Sequence, residues 1–276
     1  MINKNLNLMK EFNVAVFESV QYKKELSDIG NHKYYYSKEY GSRIINFLKD
    51  KKVVSHETVK GSLRSSSSSA RLCANYFYCD STKSTFEFEK PLFNDVSNHP
   101  TKMDAVYGTV YYECKCQEIV NGEHELLRKS YYTKPTSKLF KEFGISNIEI
   151  KKHFNKNGKN DYDYCEFLLE DLGINYPGYY HDINFNIKQL ICHLIAIANE
   201  TDDLEQKTLQ YIVFKPKKEI IEKSLALSKL YEELDKQFEA IVGSKKIQEF
   251  ISSQKHNIKL DLKYIHIDSV PEHFGI

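Results

Sequence analysis

The segment from Lys102 to Cys116 narrows the fold of this chain more than any other stretch. It reads Lys-Met-Asp-Ala-Val-Tyr-Gly-Thr-Val-Tyr-Tyr-Glu-Cys-Lys-Cys, two short apolar runs separated by Gly108. Glycine enters the backbone angles of a tight reversal without a Cβ penalty, so the runs predict adjacent antiparallel strands. Side chains alternate across a strand, which puts Glu113 and Lys115 on one face and Cys114 and Cys116 on the other. Pairing across the turn brings Asp104 to the same end of the hairpin. Two carboxylates and one ammonium are expected to meet there.

The flanking segments predict the remainder of a sheet and its cover. Five serines, Ser65–Ser69, lead into Ala70, Cys73, Ala74 and Phe77. That spacing is a helical stripe, and serine is a good N-cap, so a helix begins within the serines. Thr85–Pro91 alternates with period two, with Phe86 and Phe88 inward and Glu87 and Glu89 on the other face. Asn121-Gly122 signals a turn, and Leu139–Phe143 a helix end closed by Gly144. Asp161–Gly173 reads as a helix stopped by Gly173. Ile187–Ala198 is an apolar helix, Tyr211–Phe214 a buried strand, and Glu219 to about Ala240 an amphipathic helix, with a short helix at 246–252.

Nearer the start, Val14–Phe17 is strand-like or a short helical element, and Ile44–Leu48 is helical. The order α-β-β-β-α-β-α gives an α/β sandwich around one mixed sheet. Residues 1–60 form an N-terminal extension, 61–215 the core, and 216–276 a C-terminal helical region packing on it.

Composition removes several function classes. The chain has 276 residues, 39 Lys and Arg against 38 Asp and Glu, and a net charge of +1. That balance argues against a protein coating nucleic acid through bulk positive charge, while leaving room for a local basic groove. No apolar run reaches the length of a membrane span, and no secretory h-region follows the first residues. The six cysteines (Cys73, Cys79, Cys114, Cys116, Cys165 and Cys192) lie in apolar segments and read as reduced core thiols of a cytoplasmic protein. A Gly-rich phosphate loop is lacking, and His181-Asp182 has no Ser or Cys partner at a triad spacing.

The hairpin acids suit metal-assisted phosphodiester cleavage. A divalent cation held by carboxylates supplies Lewis acidity and lowers the pKa of a bound water. Mg²⁺ keeps several of its own waters, so two or three protein oxygens suffice. Asp104 and Glu113 are the expected ligands, with the main-chain carbonyl of Cys114 as a third. Lys115 would orient the attacking water or neutralise phosphate charge, and Gln117, next on that face, would hold a water or a substrate phosphate. Glu89, ahead of Glu87, is expected to add a further metal oxygen. Glu-x-Lys alone is a weak signal that fits a surface salt bridge equally well; the Asp nine residues upstream across a Gly turn strengthens it.

Asp104 followed by Glu113-x-Lys115, after a helix and a strand, resembles the PD-(D/E)XK nuclease superfamily. The nominal proline is represented by Pro100, four residues before the acid. Ser-Ser-x-Ala-Arg71-x-x-x-Asn75-x-Phe77, Phe86-Glu87-Phe-Glu89, Glu113-Cys-Lys115-Cys-Gln-Glu118 and Asn186-Ile-Lys-Gln189-Leu-Ile-Cys-His193 are similar to bacterial restriction-endonuclease-like members, over roughly residues 60–215. The resemblance implies a restriction-endonuclease-like core and a Mg²⁺-dependent endonuclease, with Mn²⁺ as substitute, acting on double-stranded DNA as a homodimer. Repair, exonuclease or RNA-cleaving members, and non-catalytic nucleic-acid-binding relatives, are the alternatives.

Within that frame Arg71 and Asn75 contact phosphate or orient Glu89, unless they lie on a solvated helix face. Gln189 and His193, one turn apart, share a face toward the site, against the plainer reading of His193 as a core histidine. Glu118 faces away from Glu113 by alternation, unless a bulge re-aims it, and reads as a structural group or one that supports the site from behind its ligands. Lys134, Lys138 and Lys141 line a groove or a solvated face, and Tyr34–Tyr36 and Tyr179-Tyr180 are candidate substrate contacts.

Overall fold

A computed structural model describes residues 2–18, 24–28, 33–36, 46, 69–79, 87–93, 100–121, 126–133, 142–154 and 162–265. Helix α1 (Ile2–Glu18) and a hairpin of β1 (Lys24–Asp28) and β2 (Lys33–Tyr36) come first. Helix α2 (Ser69–Cys79) then begins at the last of the five serines. Strands β3 (Glu87–Leu92), β4 (Thr101–Tyr107) and β5 (Val110–Lys115) follow as an antiparallel meander. Gly108, at φ +56°, makes the reversal between β4 and β5. A short helix α3 (Glu118–Asn121) leaves the end of β5.

The central sheet is completed from far along the chain. Strand β9 (Gln206–Phe214) runs parallel to β5, and β10 (Asn257–Ile265) runs parallel to β9. The sheet order is β10-β9-β5-β4-β3, mixed in direction. Alternation divides it into two faces. On one, Cys114 and Tyr112 meet Cys73 and Tyr76 of α2, and Phe214 meets Phe12 of α1 edge-on at 5.8 Å. On the other, Glu113, Lys115 and Tyr211 face helix α5 (Ile187–Ala198), whose Ile187, Leu190, Ile191, Leu194, Ile195 and Ile197 are all buried. Each such aliphatic side chain contributes about 2 kcal/mol of gross burial, which fixes the helix on the sheet. The molecule is an α/β protein with a mixed central sheet flanked by helices.

Two expectations are corrected by the coordinates. Residues 161–173 are not one helix: Tyr162–Glu166 form strand β8, and Leu169–Leu172 form a single 3-10 turn closed by Gly173 at φ +73°. The apolar spacing of Tyr164, Phe167, Leu168 and Leu172 imitates a helix. Tyr162 and Tyr164 nevertheless favour extended backbone, and β8 finds partners in β6 (Leu127–Arg128) and β7 (Glu149–His153). These three strands make a separate antiparallel sheet within the β5-to-α5 connection, followed in sequence from β6 by the short helix α4 (Ser130–Thr133) before β7.

The C-terminal portion is likewise more than helices. After α6 (Lys218–Ile221), α7 (Leu225–Val242) and α8 (Lys245–Ser253), β10 supplies an edge of the central sheet. Val14–Phe17 belongs to α1, and Gly144 adopts φ +60°. The helix expected at 44–48, apart from helical Asn46, and the Asn121-Gly122 turn beyond Asn121 lie outside the described residues. Among the described residues no helix is long and apolar enough to cross a membrane. Cys73, Cys114, Cys116, Cys165 and Cys192 are buried and unbridged.

Candidate active site

The β4–β5 ladder pairs Tyr107 with Val110, Val106 with Tyr111 and Ala105 with Tyr112. One step further, that register sets Asp104 opposite Glu113. Main-chain pairing has ended there, and the Asp104 carboxylate accepts the Cys114 N–H at 2.7 Å instead. Strand β5 continues beside β9, so Glu113 lies across from Tyr211 and Lys115 across from Val213. Helix α5 covers this face from a fixed start: Asn186 caps it, its side chain accepting the Gln189 N–H at 3.0 Å. Gln189 and His193, one turn apart, then point at the sheet.

Lys115 joins the two layers. Its Nζ lies 2.6 Å from Glu113 Oε1 and donates to Gln189 Oε1 at 2.8 Å. Glu113 is 3% exposed and Lys115 14%, so the pair is largely out of water. On the other side of the carboxylate, His193 Nδ1 stands 3.7 Å from Glu113 Oε2. The convergence of Asp104, Glu113 and Lys115 expected from the hairpin is therefore present, with Gln189 and His193 beside it.

The electrostatics leave an acid in excess. Burial pushes the Asp104 carboxyl well above the usual carboxylate range, and the Glu113 charge adds to this. Lys115 and the Cys114 N–H offset only part of it. For Lys115, burial pulls the ammonium down, but Glu113, Glu118 and Asp104 outweigh it and hold the group above its ordinary range. Burial lowers the His193 pKa more than Glu113 raises it, so the ring is neutral near pH 7. One fixed cation thus serves two facing carboxylates.

Those oxygens fit a hard divalent cation. Asp104 and Glu113 would hold it, with main-chain oxygen from Cys114 as the remaining donor. The Cys114 thiol is turned to Cys73 on the opposite face, where burial pushes it well above its usual range, and takes no part. Among the described residues no three His, Cys, Asp or Glu side chains form a ready ligand cluster. A cation that keeps most of its waters does not require one.

Other expected residues fall elsewhere. Gln117 is off the strand face: β5 ends at Lys115, and the Gln117 amide donates to Met9 Sδ of α1 at 2.7 Å. Glu87 is exposed and paired with Lys90 at 3.2 Å. Glu89 falls at the register position opposite Asp104, since Phe88 pairs with Ala105 and Lys90 with Met103, and its carboxylate lies 3.6 Å from Lys102. Arg71 and Asn75 are placed in α2 by their backbone, but their side chains lie outside the described residues, as do Lys134, Lys138 and Lys141. Tyr180 is a core residue whose hydroxyl accepts the Leu127 N–H, while Tyr179 stacks on His181. His181 is paired with Glu166 at 2.8 Å.

Glu118 takes a supporting role as expected, and Tyr211 gains one that alternation and composition did not provide. Glu118, at the start of α3, accepts from Ser69 and from the Cys116 N–H, and its charge acts on Lys115 and Asp104. Tyr211 is buried across from Glu113, and its hydroxyl has no hydrogen-bond partner among the described residues. In sequence it was one residue of an apolar strand.

Comparison of the chain with protein-family models, curated proteins and solved structures finds no match.

Proposed function

We propose that this chain is a divalent-metal-dependent endonuclease that hydrolyses phosphodiester bonds in double-stranded DNA. One observation carries the reading: Asp104, Glu113 and Lys115 meet at one sheet end, with Gln189 bonded to the lysine. The order α2-β3-β4-β5-α5-β9, with β9 parallel to β5, supports the PD-(D/E)XK resemblance and a restriction-endonuclease-like core. Bound Mg²⁺, or Mn²⁺ in its place, supplies Lewis acidity and an acidified water.

The side chains divide the remaining work. Asp104 and Glu113 would hold the cation and neutralise its charge, and the Cys114 N–H fixes the Asp104 carboxylate in place. Lys115 is long enough to leave Glu113 for a phosphate oxygen or the attacking water, with Gln189 holding the ammonium on that side. Cutting both strands of a duplex calls for two such sites related by a two-fold axis, hence a homodimer. The buried, unbridged thiols suit the reducing cytoplasm.

The test is a metal titration on plasmid DNA, linear duplex and RNA. Discrete fragments from the plasmid, dependent on Mg²⁺ or Mn²⁺ and absent in EDTA, are expected. Progressive shortening from ends, or cleavage of RNA alone, would move the chain to an exonuclease or a ribonuclease. Cleavage that ignores both EDTA and the Asp104→Asn substitution would overturn the site.

A further inference from the structure

Two buried polar groups beside Glu113 are poorly satisfied. Tyr211 is 2% exposed, and its hydroxyl has no partner among the described residues. His193 is fully buried, and its ring makes no side-chain hydrogen bond of normal geometry among them, reaching only a weak one with the Lys102 main chain. Leaving a buried donor unsatisfied costs stability, and phenylalanine would fill the same space as Tyr211 without that cost. The surroundings reinforce the point, since Phe185 and Phe238 pack edge-on against the Tyr211 ring and offer no polar contact.

Both residues are neighbours of Glu113. Tyr211 occupies the position across from Glu113 in the β5–β9 register, and His193 Nδ1 is 3.7 Å from Glu113 Oε2. That separation is beyond a hydrogen bond yet is closed by a small side-chain movement. Glu113 has meanwhile committed its other oxygen to Lys115. We infer that Tyr211 and His193 are positioning residues for Glu113, their donors kept in reserve to hold its carboxylate once a cation takes Glu113 from Lys115. The inference rests on the metal-dependent reading above. It explains why a donor is retained where the metal-free fold gains nothing from it, and partners of this kind typically tune metal affinity by about tenfold or more.

The experiment compares the full chain, Tyr211→Phe, His193→Gln and Tyr231→Phe by thermal unfolding in EDTA and in MnCl₂, with Mn²⁺ affinity from calorimetry. Tyr231 is the control, because its buried hydroxyl already donates to the Phe214 carbonyl at 2.7 Å. In EDTA, Tyr211→Phe should melt at or above the parent temperature while Tyr231→Phe melts below it. In Mn²⁺ the order of effects should invert: Tyr211→Phe and His193→Gln bind about tenfold more weakly, and Tyr231→Phe binds as the parent does. A Tyr211→Phe chain that is destabilised in EDTA and binds Mn²⁺ normally would overturn the inference alone. A parent chain that shows no response to Mn²⁺ would remove the metal-dependent reading and this inference with it.

Discussion

The carboxylate of Asp104 accepts the main-chain N–H of Cys114 at 2.7 Å, where the β4–β5 ladder has stopped. A side chain takes over from the backbone there, so the acid of one strand is held in place by the residue that follows the acid of the other. The end of the ladder and the placement of the proposed ligand are one feature.

Removing the charge without the acceptor separates these roles. Asp104→Asn keeps a carbonyl oxygen for the Cys114 N–H and relieves the repulsion from Glu113. It should abolish cleavage while the metal-free chain melts no lower than the parent. Asp104→Ala should also be inactive, but less stable by about 1 kcal/mol for the orphaned N–H. Melting in EDTA and plasmid cleavage check both, and parental activity in the Asn variant would refute the assignment.

Lys115 is expected to matter for folding as well as for chemistry. Losing its ammonium leaves Glu113, 3% exposed, as an unpaired buried charge. Lys115→Met should lose activity and about 3 kcal/mol of stability. Adding Glu113→Gln should recover most of that stability and none of the activity, because the double variant has neither the uncompensated charge nor the reactive groups. Denaturant unfolding of the two singles and the double gives the coupling directly. Additive losses would mean that the two side chains do not act on each other.

The hairpin was legible because its information is local: one glycine and a period of two place Asp104, Glu113 and Lys115 within a single ribbon. The same holds for α5, whose apolar run from Ile187 to Ala198 is continuous in the sequence. What depends on partners distant in the chain was not legible. Ile258, Leu260 and Leu262 of β10 do alternate with polar residues, yet nothing nearby says that they join β9. Tyr211 lies in an apolar run, and its hydroxyl acquires meaning only from Glu113 across the register. Alternation placed Glu118 away from Glu113 as a supporting group but did not supply the reason: β5 ends at Lys115 and the chain turns into α3, where that acid accepts from Ser69 and the Cys116 N–H.

A second ion pair, half-buried and away from the site, gives the chain an acid limit. The Lys207 side chain is fully buried, with its ammonium 2.7 Å from Asp202, which is 36% exposed. Burial raises the Asp202 pKa, but hydrogen bonds from Lys207 and the Leu204 N–H outweigh it and hold the carboxyl below its usual range. A depressed folded pKa contributes stability that is complete above about pH 4 and is lost as pH falls through the folded value. Asp202→Asn should therefore cost about 2 kcal/mol at neutral pH, below the figure for a fully buried pair because water screens Asp202. The gap to the parent should narrow as melting is followed down to about pH 3. A gap independent of pH would show that the pair's charge is not what stabilises this corner.

Glu89 and Glu87, two residues apart on β3, should part company in two measurements. Glu89 has φ +49°, a left-handed conformation that costs a non-glycine residue about 1 kcal/mol, whereas Glu87 pairs regularly with Val106. Glu89→Gly trades that strain against glycine's entropy, so its melting temperature should stay level or rise. Glu87→Gly meets no strain to relieve and should fall by about 0.5–1 kcal/mol. Strain kept opposite Asp104 also implies use. Glu89→Gln should raise the Mg²⁺ concentration needed for half-maximal cleavage, and Glu87→Gln, exposed and paired with Lys90, should leave it unchanged. If the two glutamines give the same Mg²⁺ curve, the carboxylate of Glu89 has no part in holding the cation, and Asp104 and Glu113 carry it without help from β3.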